Sequence, residues 1–420
     1  MVSRVIRSAE RNTCAASRRR QRRRGAAICS VVGALALLST GFTTGAAAAD
    51  VQSKQWYLSA MKAEEMWKVS TGEGVKVAVI DTGVNPDTPS LKGQVLADEV
   101  PKSLAHKATE DEDGHGTTMA ELIAGTGAGG GLKGLAPGAK IVPYHIAMQG
   151  SSKSEKNKAP DLPDAIRAAA DSDVKIINMS FGGDYPRRGS EEAIRYAHSK
   201  GKLLFAATGN DAETRNFIDY PAAFPYVVGV AASDESGKVG KFSEYGNYVD
   251  FAAPGLNMSG YCDATLRSYC DGAEGTSGAT ALTSAAAALI WSAHPDWTAN
   301  QVLASLIDTA SRNWAKDDPS VYLGYGLIRP RKVLEKADFD PGPADVDPLA
   351  RENESGVVDE SGKPVKPSEG KADDQSSVSA SADDSSDNGN TTLWVVLGGA
   401  AAVLALGGGA FAVLRSRRSS

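Results

Sequence analysis

Four residues, far apart in the chain, carry side chains suited to nucleophilic chemistry. Asp81 directly follows an apolar stretch, His115 stands between two glycines, Asn210 follows a glycine, and Ser277 begins an alanine-rich stretch. A serine hydroxyl needs a neighbouring base, and that base needs an acid to orient it, so the three must be judged together. An asparagine amide can add a donor for a developing oxyanion, typically worth about 3–4 kcal/mol of barrier. The set points to acyl transfer by an activated serine.

Each of these residues also has a simpler interpretation. An Asp or Asn beside a glycine is ordinarily a turn residue, a lone His is usually a surface or packing residue, and a Ser at a helix start is most often an N-cap. Glycines beside His115 leave the imidazole unshielded, and Ser277 at a helix start gains from the positive helix end. The order Asp81, His115, Asn210, Ser277 therefore carries the prediction. The other histidines are interpreted as structural or loop residues: His106, His145, His198 and His294.

The elements that must position these residues alternate along the chain. Apolar stretches predict strands at 75–80, 141–144, 174–179, 203–206 and 227–230, and helical patterns lie at 117–124, 162–170, 191–200 and 276–291. This alternation predicts an α/β fold with a mostly parallel central sheet and helices on both faces. Ligands of such sheets bind at the carboxyl ends of the strands. Asp81 and Asn210 both follow predicted strands.

The composition limits the class of protein. The 420 residues are 42% apolar and 23% charged, with 44 glycines, which is typical of a soluble α/β chain and excludes a disordered, collagenous or disulfide-dense one. The net charge is −6, but the first 24 residues hold nine Arg and one Glu, so the remainder carries −14. This acidic body argues against a nucleic-acid partner.

The basic block begins a targeting pattern. An uncharged stretch from Ala26 to about Leu38 follows it, and small residues precede Asp50. This order predicts a secretory signal peptide over residues 1–49. A basic nucleic-acid arm and a permanent membrane helix are the alternatives, and the apolar stretch is short for the latter.

A second apolar segment lies near the other end. Residues 393–414 contain no charge and would form a helix of about 33 Å, long enough to cross a bilayer. Three arginines follow, which places residues 415–420 in the cytoplasm. We expect a single-pass cell-membrane protein with its catalytic domain outside. A glycolipid-anchor signal is a minor alternative.

Between these ends lie a folded domain and a linker. Residues 50–337 are predicted to form the domain. Residues 338–392 contain 14 acidic and four basic residues and one aromatic, Phe339, a composition that predicts a disordered tether. A partner-binding acidic segment is the alternative. In the exported domain, Cys262 and Cys270 are predicted to form one disulfide, with two free thiols as the alternative.

At its chemical motifs the chain resembles the subtilisin-like serine proteases. The resemblance extends from about Trp56 to Lys336. The main motifs are Asp81-Thr82-Gly83, Gly114-His115-Gly116-Thr117, Ala207-Thr208-Gly209-Asn210 and Gly275-Thr276-Ser277, with lesser ones at Gly134-Leu135-Ala136-Pro137, Asn178-Met179-Ser180-Phe181-Gly182, Ala253-Pro254-Gly255 and Tyr325-Gly326-Leu327-Ile328.

The resemblance implies a role for each matching position. Ser277 would be the nucleophile, His115 the general base, Asp81 the acid that orients it, and Asn210 an oxyanion donor. Opposite walls of the primary specificity pocket would be formed by Ser180, Phe181 and Gly182 and by Ala207, Thr208 and Gly209. The implied activity is serine endopeptidase action on protein or peptide substrates. We expect no cofactor, and we find no metal site specific enough to name.

Three positions depart from the family pattern. Gly278 stands where a larger residue commonly follows the nucleophile, Ala281 replaces a usual proline, and Thr118 replaces a frequent second histidine. The catalytic atoms survive all three changes, so the departures concern helix packing and pocket shape.

The order of segments narrows the resemblance further. A short N-terminal extension, a protease domain, an acidic tether and one membrane helix resemble the mycosins, the membrane-anchored subtilases of actinobacterial type VII secretion systems. This implies secretion-complex subunits as partners. The alternative function is a structural subunit that stabilises such a complex and requires little proteolysis.

Overall fold

The computed structural model describes residues 48–148 and 150–355. The strands are β1 (Lys76–Asp81), β2 (Lys140–His145), β3 (Ile176–Met179), β4 (Leu203–Ala207), β5 (Val227–Ser233), β6 (Phe251–Pro254), β7 (Met258–Tyr261) and β8 (Tyr269–Ala273). The helices are α1 (Ala48–Ser53), α2 (Trp56–Ala60), α3 (Ala63–Met66), α4 (His115–Ala124), α5 (Lys153–Lys156), α6 (Leu162–Asp171), α7 (Ser190–Ser199), α8 (Thr276–Ala293), α9 (Ala299–Thr309), α10 (Pro330–Leu334) and α11 (Ala350–Ser355).

Six strands form one parallel sheet in the order β2-β1-β3-β4-β5-β6. Both of its faces are covered, as a parallel sheet requires. In β1, for example, Val77 and Val79 join the core beneath α4 and α8, whereas Ala78 and Ile80 join the core beneath α6 and α7. Because both faces are buried, the sequences of the strands are continuous apolar stretches and do not alternate between apolar and polar residues. The predicted fold class is confirmed for this domain.

Helix α8 runs through the centre of the molecule and is buried almost all round. Its alanines allow close packing against the sheet. The hydroxyls of Thr280 and Thr283 donate to the carbonyls of Thr276 and Ala279, each 2.8 Å away. These bonds satisfy polar groups that would otherwise be buried without partners.

Several elements were absent from the sequence prediction. The largest are β6, α9 and the antiparallel pair β7–β8. Strand β8 is exposed at nearly every position, so it shows no apolar pattern from which a strand could be inferred. The predicted disulfide is present: Cys262 and Cys270 are bonded across this pair, with their Cα atoms 4.9 Å apart.

The domain continues beyond Ala337, and here the structure differs from the prediction. Part of the segment assigned to the linker, residues 338–355, lies against the domain. Leu349 is 2% exposed, the backbone N–H of Tyr226 donates to Asn353 Oδ1 at 2.5 Å, and Tyr325 donates to Glu352 at 2.6 Å. The acidic average composition conceals these few anchoring side chains.

The remaining segment predictions fall largely outside the described residues. These are the signal peptide up to residue 47, the rest of the linker from residue 356, the membrane helix at 393–414 and the tail. Within residues 48–148 and 150–355, no helix is long and apolar enough to cross a membrane.

Candidate active site

Asp81 and His115 meet at the carboxyl end of β1. Asp81 is the last residue of that strand and is fully buried. Its Oδ1 lies 2.7 Å from Nδ1 of His115 and also accepts from the backbone N–H of Thr82 at 2.8 Å. This contact orients the imidazole, which is 32% exposed. The pair has the arrangement of an acid that aligns a general base.

A second buried carboxylate holds the histidine segment in place. Asp111 Oδ1 accepts from Thr82 Oγ1 at 2.9 Å and from the backbone N–H of Gly114 at 2.8 Å. Its Oδ2 accepts from the backbone N–H and the hydroxyl of Thr117 at 2.8 and 2.6 Å. Asp111 thus ties the end of β1 to the start of α4. The sequence alone does not distinguish it, because it is one of four consecutive acidic residues, 110–113.

Ser277 lies in the first turn of α8 and is half-buried. Its hydroxyl donates to the backbone carbonyl of Ser180 at 2.8 Å, while the hydroxyl of Ser180 donates to the Ser277 carbonyl at 2.9 Å. The hydroxyl therefore points toward the wall segment and not toward His115. A rotation about χ1 is the simplest way to bring it to the imidazole.

The side-chain amide of Asn210 lies at the start of α8, next to Ser277. Its Oδ1 accepts from the backbone N–H of Thr276 at 2.9 Å and from the Thr276 hydroxyl at 3.0 Å. Because the oxygen is held in this way, Nδ2 is left as the outward donor. A Cβ placed on Gly275 would be 3.8 Å from both Asn210 Nδ2 and the backbone N of Ser277. The Asn210 amide nitrogen and the backbone nitrogen of Ser277 therefore lie near each other at the start of α8, where an oxyanion site would need two donors.

Three of the four predicted catalytic residues line one cleft, and Asp81 contacts it through His115. A cavity of about 460 Å³ is lined by His115, Asn210 and Ser277, together with Met258 and Tyr261 of β7. The wall residues Ser180, Phe181 and Gly182 follow β3, and Ala207, Thr208 and Gly209 end or follow β4. Ser180 exchanges hydrogen bonds with Ser277, and the backbone N–H of Gly209 donates to the Thr276 hydroxyl at 3.3 Å. Phe181 and Gly182 instead line a separate cavity of about 370 Å³.

The comparisons with known proteins agree with this geometry. The sequence profile of the Subtilase family matches residues 72–326, which contain all four candidate residues. The chain belongs to the Subtilase family. The predicted subtilisin-like serine protease is thereby confirmed at the level of the family.

Individual subtilases show the extent of the similarity. Subtilisin Savinase of Lederbergia lenta is 34% identical over 262 residues, which cover 62% of this chain and 92% of Savinase. The minor extracellular protease Epr of Bacillus subtilis (strain 168) is 32% identical over 284 residues, 66% of this chain, and the chain spans only 41% of Epr. Among solved structures, the MycP3 protease from the type VII (ESX-3) secretion system aligns with a TM-score of 0.54 and 28% identity, covering 70% of this chain and 90% of that chain.

Two of the departures from the subtilase pattern have structural explanations. The hydroxyl of Thr118 donates to the Gly114 carbonyl at 2.7 Å and accepts from the backbone N–H of Tyr261 at 3.1 Å. It therefore joins α4 to β7. A Cβ on Gly278 would contact Met258 and Leu122 at 3.6–3.7 Å, so these side chains occupy the space beside the missing side chain. Ala281 is fully buried in α8.

The charge environment controls the protonation of the base. Burial acts to lower the pKa of His115, but the charge and hydrogen bond of Asp81 outweigh burial, and Asp113 and Asp111 add to them. The pKa of His115 is raised to about 9 as a result.

A separate histidine cluster lies beside β1, because His145 pairs with Asp81 in the sheet. His106 Nε2 and His145 Nε2 contact Glu155 Oε1 at 2.8 and 3.0 Å, and the ligand atoms lie within 4.8 Å of one another. Two imidazoles and a carboxylate are a donor set that suits zinc. Here Glu155 is already paired, since Lys107 Nζ also contacts its Oε2 at 3.0 Å. In this structure the three residues therefore form a hydrogen-bonded cluster in which the Glu155 carboxylate already has partners.

Proposed function

We propose that the chain is an extracytoplasmic serine endopeptidase that works through an acyl-enzyme. The observation that carries this proposal is the 2.7 Å contact between Asp81 and His115 in a cleft that also contains Ser277 and Asn210. Asp81 fixes the imidazole so that Nε2 faces the cleft. His115 in its neutral form is then the base for Ser277.

The reaction follows from these positions. Ser277 Oγ attacks the substrate carbonyl carbon while its proton passes to His115 Nε2. The developing oxyanion accepts hydrogen bonds from Asn210 Nδ2 and the backbone N–H of Ser277. When the C–N bond breaks, His115 returns the proton to the leaving amine. Water then hydrolyses the acyl-enzyme, with His115 again acting first as base and then as acid.

A fluorophosphonate probe tests this proposal, because it reacts with activated serines irrespective of the natural substrate. The full chain would be produced in an oxidising compartment and labelled beside Ser277→Ala and His115→Ala. We expect labelling of the wild type alone, with the variants retaining the wild-type circular dichroism. A well-folded wild type that does not react would overturn the proposal. Cleavage of a peptide library retained by Ser277→Ala would do the same.

We further propose that the domain is exported, tethered to the cell membrane and linked to type VII secretion. The signal-like residues 1–49, the acidic segment that follows the domain and the apolar stretch 393–414 support an anchored external domain. The alignment with MycP3, a protease from such a secretion system, supports the association with that machinery. Protease digestion of intact cells, followed by detection of the domain, tests the localisation.

A structural role in the secretion complex is the second candidate. The orientation of the Ser277 hydroxyl toward Ser180 favours it, since the nucleophile is not aligned with its base. The two functions separate in one experiment. If the role is structural, Ser277→Ala supports secretion and deletion of the chain abolishes it. If proteolysis is required, both changes abolish secretion.

A further inference from the structure

Two buried carboxylates lie against the glycines of the predicted specificity-pocket walls, and one of them approaches both glycines. Gly182 belongs to one wall and Gly209 to the other. A Cβ on Gly182 would lie 2.2 Å from Asp219 Oδ2, and a Cβ on Gly209 would lie 2.6 Å from that same oxygen. Oδ2 of Asp219 therefore sits between the two backbone segments. Glu244 Oε2 reaches the same region, 2.2 Å from the Gly209 position.

Neither carboxylate has a partner that explains its burial. Asp219 is 9% exposed and Glu244 is 1% exposed. Both Glu244 oxygens lack a partner in hydrogen-bond geometry, although the backbone amides of Phe217 and Asp211 are near enough to lower its pKa slightly. In the part of the chain that the structure describes, no Lys, Arg or His forms an ion pair with either residue.

The surrounding charges have the same sign. Burial, followed by the charges of Asp211 and Asp184, raises the pKa of Asp219 to about 7. Burial, followed by the charge of Asp219, raises the pKa of Glu244 to about 8. Such a site is costly to ionise because no cationic side chain among the described residues pairs with either carboxylate. A cation entering from the cleft would remove that cost.

We propose that Asp219 and Glu244 form the acidic base of the specificity pocket and select substrates that present arginine or lysine there. The selected residue is the one whose carbonyl Ser277 attacks, so this inference rests on the proposed function. Cleavage would occur on the carboxyl side of a basic residue.

The geometry favours a long cationic side chain. Gly182 and Gly209 carry no side chains, so the backbone of each wall lies directly against a carboxylate oxygen. A guanidinium can donate to both oxygens of one carboxylate, or to two carboxylates, in its fixed planar arrangement. An apolar side chain would leave the acids buried and unpaired, and sites built for a polar group reject analogues that lack it. Arginine should therefore be preferred to lysine.

A peptide series that varies only at this position tests the preference. We expect kcat/KM for arginine to exceed that for leucine or methionine by about 10²-fold or more. The isosteric change Asp219→Asn should remove most of that advantage while leaving cleavage after leucine within a few-fold of wild type. Glu244→Gln should reduce it less, because Glu244 lies deeper. The matched control is Glu192→Gln, an exposed acid of α7, which should change the preference less than about three-fold.

A binding measurement gives a second readout that needs no turnover. p-Aminobenzamidine, a small aromatic amidine, gains fluorescence when it enters a pocket that binds arginine. We expect saturable binding to Ser277→Ala and at least about ten-fold weaker binding to Ser277→Ala combined with Asp219→Asn. Equal binding to the two proteins would overturn the proposal, as would a wild-type preference for apolar residues.

The two proposals fail in distinguishable ways. If the fluorophosphonate does not label Ser277, the catalytic function is wrong, yet amidine binding still reports the pocket. A second outcome is that Ser277 is labelled, but a peptide aldehyde ending in argininal protects Ser277 from labelling no better than one ending in phenylalaninal. In that case the proposed catalytic function is supported and the proposed acidic pocket is wrong.

Discussion

At the residue scale, the pairing of Asp81 with His115 sets the pH range in which the serine can be activated. The pKa of His115 is raised to about 9, so the imidazole is protonated and unable to accept a proton in neutral solution. Activity should rise as pH increases through the pKa of this group. We expect kcat/KM to follow a single ionisation near 9, measured with a peptide ester over pH 6–10. A midpoint near the ordinary histidine value of about 6.5 would contradict this.

Asp81→Asn is the matched control for that profile. The substitution removes the charge and the accepting carboxylate that raise the pKa of His115, so the midpoint should move down. The rate at high pH should fall by about 10⁴-fold, because the imidazole loses the partner that sets its tautomer. A merely structural role for Asp81 would lower the rate without moving the midpoint.

Residue-scale prediction from sequence succeeded where a motif has distinctive neighbours. His115 is flanked by glycines, and the structure places it against Asp81. Asp111 was missed because its neighbours in the chain are also acidic, and only the folded backbone distinguishes the one carboxylate that turns inward. Asp219 and Glu244 were missed for a related reason. Each lies against one or both of two glycines that follow the neighbouring strands β3 and β4, far from the acids' own positions in the chain, a relationship that no local pattern contains.

At the element scale, the pair β7–β8 forms one side of the cleft without belonging to the main sheet. It is held by the disulfide and by buried Glu121 of α4, whose Oε1 accepts from Tyr261 at 2.9 Å and whose Oε2 accepts from Tyr269 at 2.7 Å. Helix α8 could be predicted because its 18 residues are rich in alanine and contain no charged side chain. Strand β8 could not, since contacts from elsewhere in the chain hold it in place.

The disulfide should therefore stabilise the cleft more than the whole domain. Replacing Cys262 and Cys270 with serine removes the closure of a short loop, and we expect a loss of at most about 2–3 kcal/mol in the free energy of unfolding. Urea unfolding measures that loss, and dithiothreitol added to the wild type should reproduce it without affecting the variant. Tyr261 and Cys262 line the cleft, so KM should rise while fluorophosphonate labelling persists. An unchanged KM would mean that the Glu121 contacts alone position the pair.

At the scale of the whole molecule, composition predicts a folded domain with flanking segments, but an average over many residues does not locate the end of the domain. Average charge and hydropathy describe residues 338–392 as one acidic segment, yet its first part carries the apolar anchors Phe339 and Leu349. Gln301 of α9 also donates to the Gly342 carbonyl at 2.9 Å. These few apolar side chains form no periodic pattern in the sequence. Only their contacts with the rest of the folded domain show where the domain ends.

This boundary predicts different stabilities for two truncations. A chain ending at Ala337 loses the buried Leu349, the bond from Tyr325 to Glu352 and the bond from Tyr226 to Asn353, whereas one ending at Ser355 keeps all three. Burial of a leucine side chain is worth about 2 kcal/mol, so the shorter chain should be less stable by at least that amount. Thermal unfolding followed by circular dichroism would show a Tm lower by several degrees, because about 1 kcal/mol corresponds to roughly 2–4 °C in a domain of 150–250 residues. Equal Tm values would mean that the domain ends at Ala337 and that residues 338–355 belong to the tether. A lower Tm that Leu349→Ala reproduces in the longer chain would identify that side chain as the anchor.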